Sequence, residues 1–201
     1  MTAPKTLRLG TRGSALALWQ AKHISRTIGT RFGVECSLEI IKTAGDRIQD
    51  VAFRKMEGQG FFTKELQEAL FDGRVDLVVH SLKDLPTDEP PGLEVVAIPE
   101  RANPADLLLA RPGVIDLDGD NPLRLPDGAV LGTSSLRRAA QALAHSPKIT
   151  IKALRGNVPT RLRKLQDGGY DAIMLAAAGV DRLELDLGEI ESAVLHPEIM
   201  L

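Results

Sequence analysis

Three times in this chain of 201 residues an apolar run stops at a short turn built from Gly, Ser, Thr or Asn, and a helix-spaced pattern starts directly behind it. The turns are Gly10-Thr11-Arg12-Gly13-Ser14, Gly132-Thr133-Ser134-Ser135 and Arg155-Gly156-Asn157. A strand that feeds a helix through so short a turn leads to a layered α/β architecture. In open α/β sheets, ligands bind beyond the carboxyl ends of the strands, beside such helix starts. Because the device recurs in both halves, the pattern predicts two α/β lobes facing each other across a ligand cleft.

The remaining punctuation sets the element order. Leu7 and Leu9 begin the first strand. Ala17, Ala21, Ile24 and Ile28 recur at helical spacing behind it, with Ser14 as N-cap. Leu38 to Ile41 reads as a strand, and 46–60 as a polar, glycine-punctuated loop. Thr63 caps a helix with Leu66, Ala69 and Leu70 inward, and Gly73 ends it. Val75–His80 and Leu93–Ile98 read as further strands. Residues 100–104 (Glu-Arg-Ala-Asn-Pro) form a hinge between lobe 1 (1–99) and lobe 2 (105–195). Lobe 2 repeats the cycle: a strand at Leu107–Ala110, a loop over 111–128, a strand at Val130-Leu131 and a helix to Ala144. A strand through Ile149, Ile151 and Ala153 follows. Asn157 then caps a helix with Pro159 in its first turn, where a missing N–H costs little. Gly168-Gly169 ends that helix, before a strand at Ala172–Ala176.

Charge narrows the chemistry. The net charge is −2, so the whole molecule is no binder of polyanions. Yet residues 131–170 hold eight Lys/Arg against the single acid Asp167, which suggests a local anion site or a solvated basic face. Aromatic residues make up 3% of the chain, too few to support a nucleic-acid surface. The only cysteine is Cys36, so no internal disulfide can form, and His23, His80, His145 and His196 are scattered. No metal site, no membrane span and a cytoplasmic setting are expected.

Arg137 and Arg138 fall in the first turn of a helix, where cations oppose the macrodipole unless an anion sits beside them. Either they border an anion site or they are a tolerated surface pair. Arg155, Gly156 and Arg161 repeat the logic at the next strand end, since a guanidinium fork matches planar carboxylates and phosphates. Arg12 and Ser14 do so more weakly at the first. Lys83-Asp84 ends the apolar run Val78-Val79 just ahead of Pro86. Asp84 is either a carboxylate aimed into a cleft, able to stabilise a cation, or a turn residue paired with Lys83. His80 reads as a partly buried strand residue rather than a ligand. Trp19 and Phe61-Phe62 read first as packing.

Six segments occur together in one order: LRLGTRGSALALWQA, GQGFFTKELQEAL, DLVVHSLKDLP, LGTSSLRRAAQ, LRGNVPTRLRKL and YDAIMLAAAGVDRL. The ordered set resembles the porphobilinogen deaminase (hydroxymethylbilane synthase) family over nearly the whole chain. The resemblance implies two lobes similar to type II periplasmic binding proteins, with a cleft between them, and a small third domain. It implies a transferase of haem and tetrapyrrole biosynthesis that condenses four porphobilinogen molecules to hydroxymethylbilane and releases ammonia. It implies, too, that the growing chain is anchored on a dipyrromethane cofactor held by a third-domain cysteine.

By resemblance, Asp84 is the catalytic aspartate that stabilises the cationic azafulvene left by ammonia. Arg12, Ser14, Lys83, Thr133, Ser134, Ser135, Arg137, Arg138, Arg155 and Gly156 bind the cofactor. Arg12, Arg155, Arg161, Phe62, Arg101 and Arg182 bind substrate. The partners implied are porphobilinogen and linear pyrrole intermediates, with no nucleic acid or membrane. Cys36 does not match the cofactor cysteine, Gln59 stands where a basic loop residue is common, and 196–201 reads as the truncated start of a crossover back to lobe 1. The third domain is therefore expected to be missing. The alternative is a non-catalytic two-lobed binder of carboxylated pyrroles or other anions. The family is typically monomeric, and association through an incomplete lobe 1 is the expected departure.

Overall fold

The structure is a computed structural model that describes residues 6–43, 63–116 and 121–200. The loop expected over 46–60, and Phe62 with it, lie outside the described residues. The chain divides into two compact units, Met1–Glu100 and Arg101–Leu201.

Unit 1 is built on strand β1 (Thr6–Thr11). Helix α1 (Ala15–Phe32) follows, capped as expected by Ser14, whose Oγ accepts the Ala17 N–H at 3.3 Å. Gly33 closes α1 in the left-handed conformation, at φ 66°. The chain then returns as β2 (Glu35–Ile40), parallel to β1 from Thr6↔Glu35 to Thr11↔Ile40. This is the βαβ unit that the first turn predicts. Helix α2 (Lys64–Phe71) places Leu66 and Ala69 in the core beside Leu9, Ala21 and Val75. Thr63 precedes α2 but makes no side-chain cap.

Two expected strands differ from expectation. Val75–His80 pairs with β1 only at β3 (Leu77–Val78), although Asp76 N–H to Arg8 O (2.8 Å) and Val79 N–H to Gly10 O (3.2 Å) extend the contact. Leu93–Ile98 forms no strand. It joins neither sheet among the described residues, and Val96 and Ile98 are 81% and 68% exposed. Apolar β-formers alone do not make a strand without a ladder to join.

Unit 2 carries a five-stranded mixed sheet in the order β6-β5-β7-β4-β8. Its strands are β4 (Asp106–Ala110), β5 (Val130–Gly132), β6 (Thr150–Lys152), β7 (Ala172–Ala176) and β8 (Glu191–Leu195). Strand β5 runs parallel to β6 and β7, whereas β4 is antiparallel to both β7 and β8. The helices are α3 (Leu136–His145), α4 (Val158–Gln166) and α5 (Ala177–Leu183). Sequence reading did not foresee α5 or β8.

The central strands β4 and β7 are buried on both faces of the sheet, which explains the unbroken apolar run of β4. Leu108 and Ala110 pack with Leu131, Ala142 and Met174 on one side. Leu107 and Leu109 pack with Leu162, Leu165, Ile173 and Leu175 on the other. Gly132 ends β5 because the Tyr170 ring fills the space a side chain would need. A Cβ there would lie 2.7 Å from Tyr170 Cδ1. Tyr170 is fixed in turn by donating its hydroxyl to Ala153 O at 2.7 Å.

Candidate functional site

In unit 1 the ladder stops at Val78, and the chain turns through His80 and Ser81 into a 3₁₀ turn, Leu82–Asp84. Asp84 N–H donates to Ser81 O at 2.9 Å and closes that turn. Asp84 therefore leaves from a turn, not directly from a strand end, because the bonding to β1 ends with the Val79 N–H to Gly10 O. Lys83 and Asp84 are both exposed. Ser81 is braced from α1: Gln20 Nε2 donates to Ser81 Oγ at 2.9 Å. Nothing in the spacing of Gln20 announced this.

His80 senses its surroundings strongly. Burial, the largest influence, lowers its pKa; the Asp84 carboxylate pushes it up and the Arg12 guanidinium pushes it down. Asp84 and Arg12 thus both lie within electrostatic reach of His80 in unit 1. His80 Nε2 is buried without a hydrogen-bond partner among the described residues. Thr11 Oγ1 donates to Ala17 O at 3.1 Å, and Ser14 caps α1, so both hydroxyls of this turn shape the helix start.

In unit 2 the turn after β5 is tightly made. Thr133 is buried, its N–H donates to Lys152 O at 3.0 Å, and its Oγ1 accepts the Ser135 N–H at 3.2 Å. Ser134 Oγ donates to Leu154 O at 2.8 Å and accepts the Leu154 N–H at 3.1 Å. Ser135 Oγ caps α3 by accepting the Arg138 N–H at 3.4 Å.

The anion that the two arginines call for is supplied first by the fold. Asp106 heads β4 with its side chain 3% exposed. Its Oδ1 lies 2.6 Å from Arg138 Nη2, and its Oδ2 lies 3.1 Å from Arg137 Nη2. Arg138 also donates from Nη1 to Met174 O at 3.3 Å. Sequence reasoning missed Asp106. The available signal was a carboxylate heading the buried run Asp106-Leu107-Leu108-Leu109, since such a charge needs partners.

The next strand end is organised by Gly156, at φ 111°. Asn157 Oδ1 accepts the Thr160 N–H at 3.0 Å and caps α4, as expected. Arg161 Nε donates to Gly156 O at 2.6 Å, and Lys164 Nζ donates to Arg155 O at 3.1 Å. Burial, and after it the charge of Arg138, lower the Arg161 pKa below its ordinary value. Unit 2 thus gathers Arg138 and Arg161 within electrostatic reach of each other, with Arg137 beside Arg138. Arg155 follows β6 at the next strand end, where its carbonyl accepts from Lys164 Nζ. Arg182 lies in the last turn of α5, and Arg101 is exposed at the start of the unit. Cys36 lies half-buried in β2 opposite Leu7. No group of three or more His, Cys, Asp or Glu among the described residues could hold a metal ion. Among those residues, no helix is long and apolar enough to cross a membrane.

A family model described as "Porphobilinogen deaminase, dipyromethane cofactor binding domain" matches residues 7–201. The chain belongs to the porphobilinogen deaminase family. It is 49% identical over 198 residues to the porphobilinogen deaminase of Nitratidesulfovibrio vulgaris (strain DSM 19637 / Miyazaki F), covering 98% of this chain and 60% of that protein. It is 51% identical over 185 residues to the porphobilinogen deaminase of Neisseria meningitidis serogroup B, covering 91% and 57%. The chain therefore spans about 60% of the length of these porphobilinogen deaminases.

Among solved structures, the probable amino-acid ABC transporter extracellular-binding protein ytmK of Bacillus subtilis superposes with a TM-score of 0.52 at 13% identity, covering 96% of this chain and 79% of that one. An ancestral cationic amino acid solute binding protein gives 0.51 at 14% identity, covering 96% and 77%. At such identities the likeness speaks of fold alone. It is the α/β fold of type II periplasmic binding proteins, as the porphobilinogen deaminase motifs implied.

Proposed function

We propose that this chain serves the condensation of four porphobilinogen molecules into hydroxymethylbilane with release of ammonia. Two observations, each within its own unit, carry the reading: an exposed Asp84 on the braced turn of unit 1, and an arginine-lined strand end in unit 2. Both stand in a chain whose relatives are named for that enzyme.

The residues suit a dipyrromethane and the pyrroles added to it. Each pyrrole carries an acetate and a propionate, so a lengthening chain needs many cationic forks. In this reading Arg12, Lys83, Thr133, Arg137, Arg138, Arg155 and Gly156 hold the dipyrromethane, with Arg12, Arg155, Arg161, Arg101 and Arg182 taking substrate carboxylates. Ser14, Ser134 and Ser135 belong to the same set; like that of Thr133, each hydroxyl engages a backbone group of its own turn or of the next strand end, which fixes the turn in place. When bound, the dipyrromethane supplies the end to which pyrroles are added. Asp84 accepts pyrrole N–H groups and stabilises the positive charge that develops as ammonia departs. The Gln20–Ser81 brace holds the turn that carries Asp84, which limits reorganisation of the backbone in the charged step.

The test is turnover. The chain is incubated with porphobilinogen, and product is followed after cyclisation to uroporphyrin, with Ehrlich's reagent reporting bound dipyrromethane. Asp84→Asn, at an exposed position, is expected to lower turnover by about 10²–10³ while leaving the fold intact. Undiminished turnover in that variant overturns the role of Asp84. Absence of porphobilinogen binding by the unaltered chain overturns the whole reading.

A further inference from the structure

Arg137 and Arg138 are neighbours in sequence but not in environment. Arg138 has a side chain 11% exposed and is clamped twice, by Asp106 Oδ1 and by Met174 O. Arg137 is 46% exposed, and its two outer nitrogens face Asp106 Oδ2 at 3.1 Å and Gln141 Oε1 at 3.0 Å. One buried carboxylate thus touches both guanidinium groups, one oxygen to each.

We propose that Asp106 is the positioning residue that gives these two arginines different work. It clamps the mostly buried Arg138 in one orientation and holds the half-exposed Arg137 fork at the angle from which it takes a ligand carboxylate. This inference rests on the reading of unit 2 as a carboxylate-binding surface. A planar guanidinium has five donors in a rigid fork. Two outer nitrogens can hold Asp106 and Gln141 while the remaining donors stay available to a ligand. A lysine at 137 is a point charge on a flexible stem and cannot serve both sides at once. The charges of Asp106, Arg137 and Arg138 leave the cluster at +1, so the site keeps its attraction for an anion after Asp106 is satisfied. Arg161, within reach of the charge of Arg138, adds to that attraction.

The experiment is a double-mutant cycle on the whole chain. Affinity is measured by calorimetry with two probes: porphobilinogen, and succinate as a dicarboxylate without a pyrrole. Melting temperature is recorded alongside. Arg137→Ala is expected to weaken binding about tenfold with little change in melting temperature. Asp106→Asn is expected to lower the melting temperature in either background. It should weaken binding about tenfold when Arg137 is present and far less in R137A. Equal weakening in both backgrounds means Asp106 acts only by holding the fold together, and overturns the proposal.

Should Asp106→Asn fail to fold, Arg137→Lys decides, because that position is half-exposed. Binding by R137K as weak as by R137A supports the fork, and binding equal to the unaltered chain overturns it. Succinate bound without porphobilinogen sinks the porphobilinogen reading yet leaves the cycle readable. Neither probe bound sinks both.

Discussion

Ser134 and Leu154 hold each other through a single oxygen: Ser134 Oγ donates to Leu154 O at 2.8 Å and accepts the Leu154 N–H at 3.1 Å. The bond pair ties the turn after β5 to the turn after β6, the two places where the arginines of unit 2 emerge. Ser134→Ala removes both bonds and leaves two backbone groups of the fully buried Leu154 to find other partners. The expected cost is about 1–3 kcal/mol, read as a shift in urea midpoint with unchanged slope. Ser134→Thr, which keeps the hydroxyl, should recover most of it.

Gly156→Ala should be costly for two reasons that add. Its φ of 111° lies where side chains are strained, and a Cβ would meet Thr160 Cγ2 at 2.7 Å. The Thr160 hydroxyl and N–H are both engaged with Asn157 Oδ1, so the threonine cannot simply swing aside. A loss of about 1–3 kcal/mol in unfolding free energy is expected. Because Arg161 bonds to Gly156 O, anion affinity should fall with it. Chemical denaturation and calorimetric titration of the same variant check the two effects separately.

His80 predicts a pH dependence on the neutral side. Burial holds its folded pKa below the ordinary value of about 6.5, with Asp84 opposing and Arg12 reinforcing that shift. Below that ordinary value the unfolded chain binds more protons than the folded one, so folding stability falls as the solution is acidified through about 6.5 and rises as it is made more alkaline. His80→Gln should flatten the dependence of the urea midpoint over that window. An unchanged slope would show that His80 does not carry it.

Asp171 predicts a second loss of stability on acidification, at lower pH. Its carboxylate accepts the Val130 N–H at 2.8 Å and pairs with Arg111, and both interactions hold its pKa below the usual carboxylate range. The stabilisation is complete above the ordinary carboxylate value and is lost as pH falls through the lower folded one. Asp171→Asn should lose stability near neutrality and show a shallower acid-unfolding curve than the unaltered chain, followed by circular dichroism.

The parts legible in the sequence were those decided locally. Ser14 and Asn157 each cap a helix as their positions implied, and the strand expected at Leu107–Ala110 forms as β4. What escaped depends on partners far along the chain. Leu93–Ile98 has the composition of a strand but finds no ladder, whereas Glu191–Leu195 becomes one by lying against β4. The same holds at the site. The arginines were visible because two cations at a helix start are locally unfavourable. Asp106 was not, because its meaning comes from residues 31 and 32 positions away. Phe62 and the 46–60 loop lie outside the described residues and stay expectations.

Gly132 and Tyr170 have a consequence for how this sequence can drift. A side chain at 132 requires a smaller residue at 170, but a smaller residue at 170 gives up the bond to Ala153 and leaves a hole above the end of β5. Each single change passes through a less stable protein, and only the joint change restores the fit. The two positions are therefore expected to be inherited as a unit, with any replacement at one accompanied by a replacement at the other.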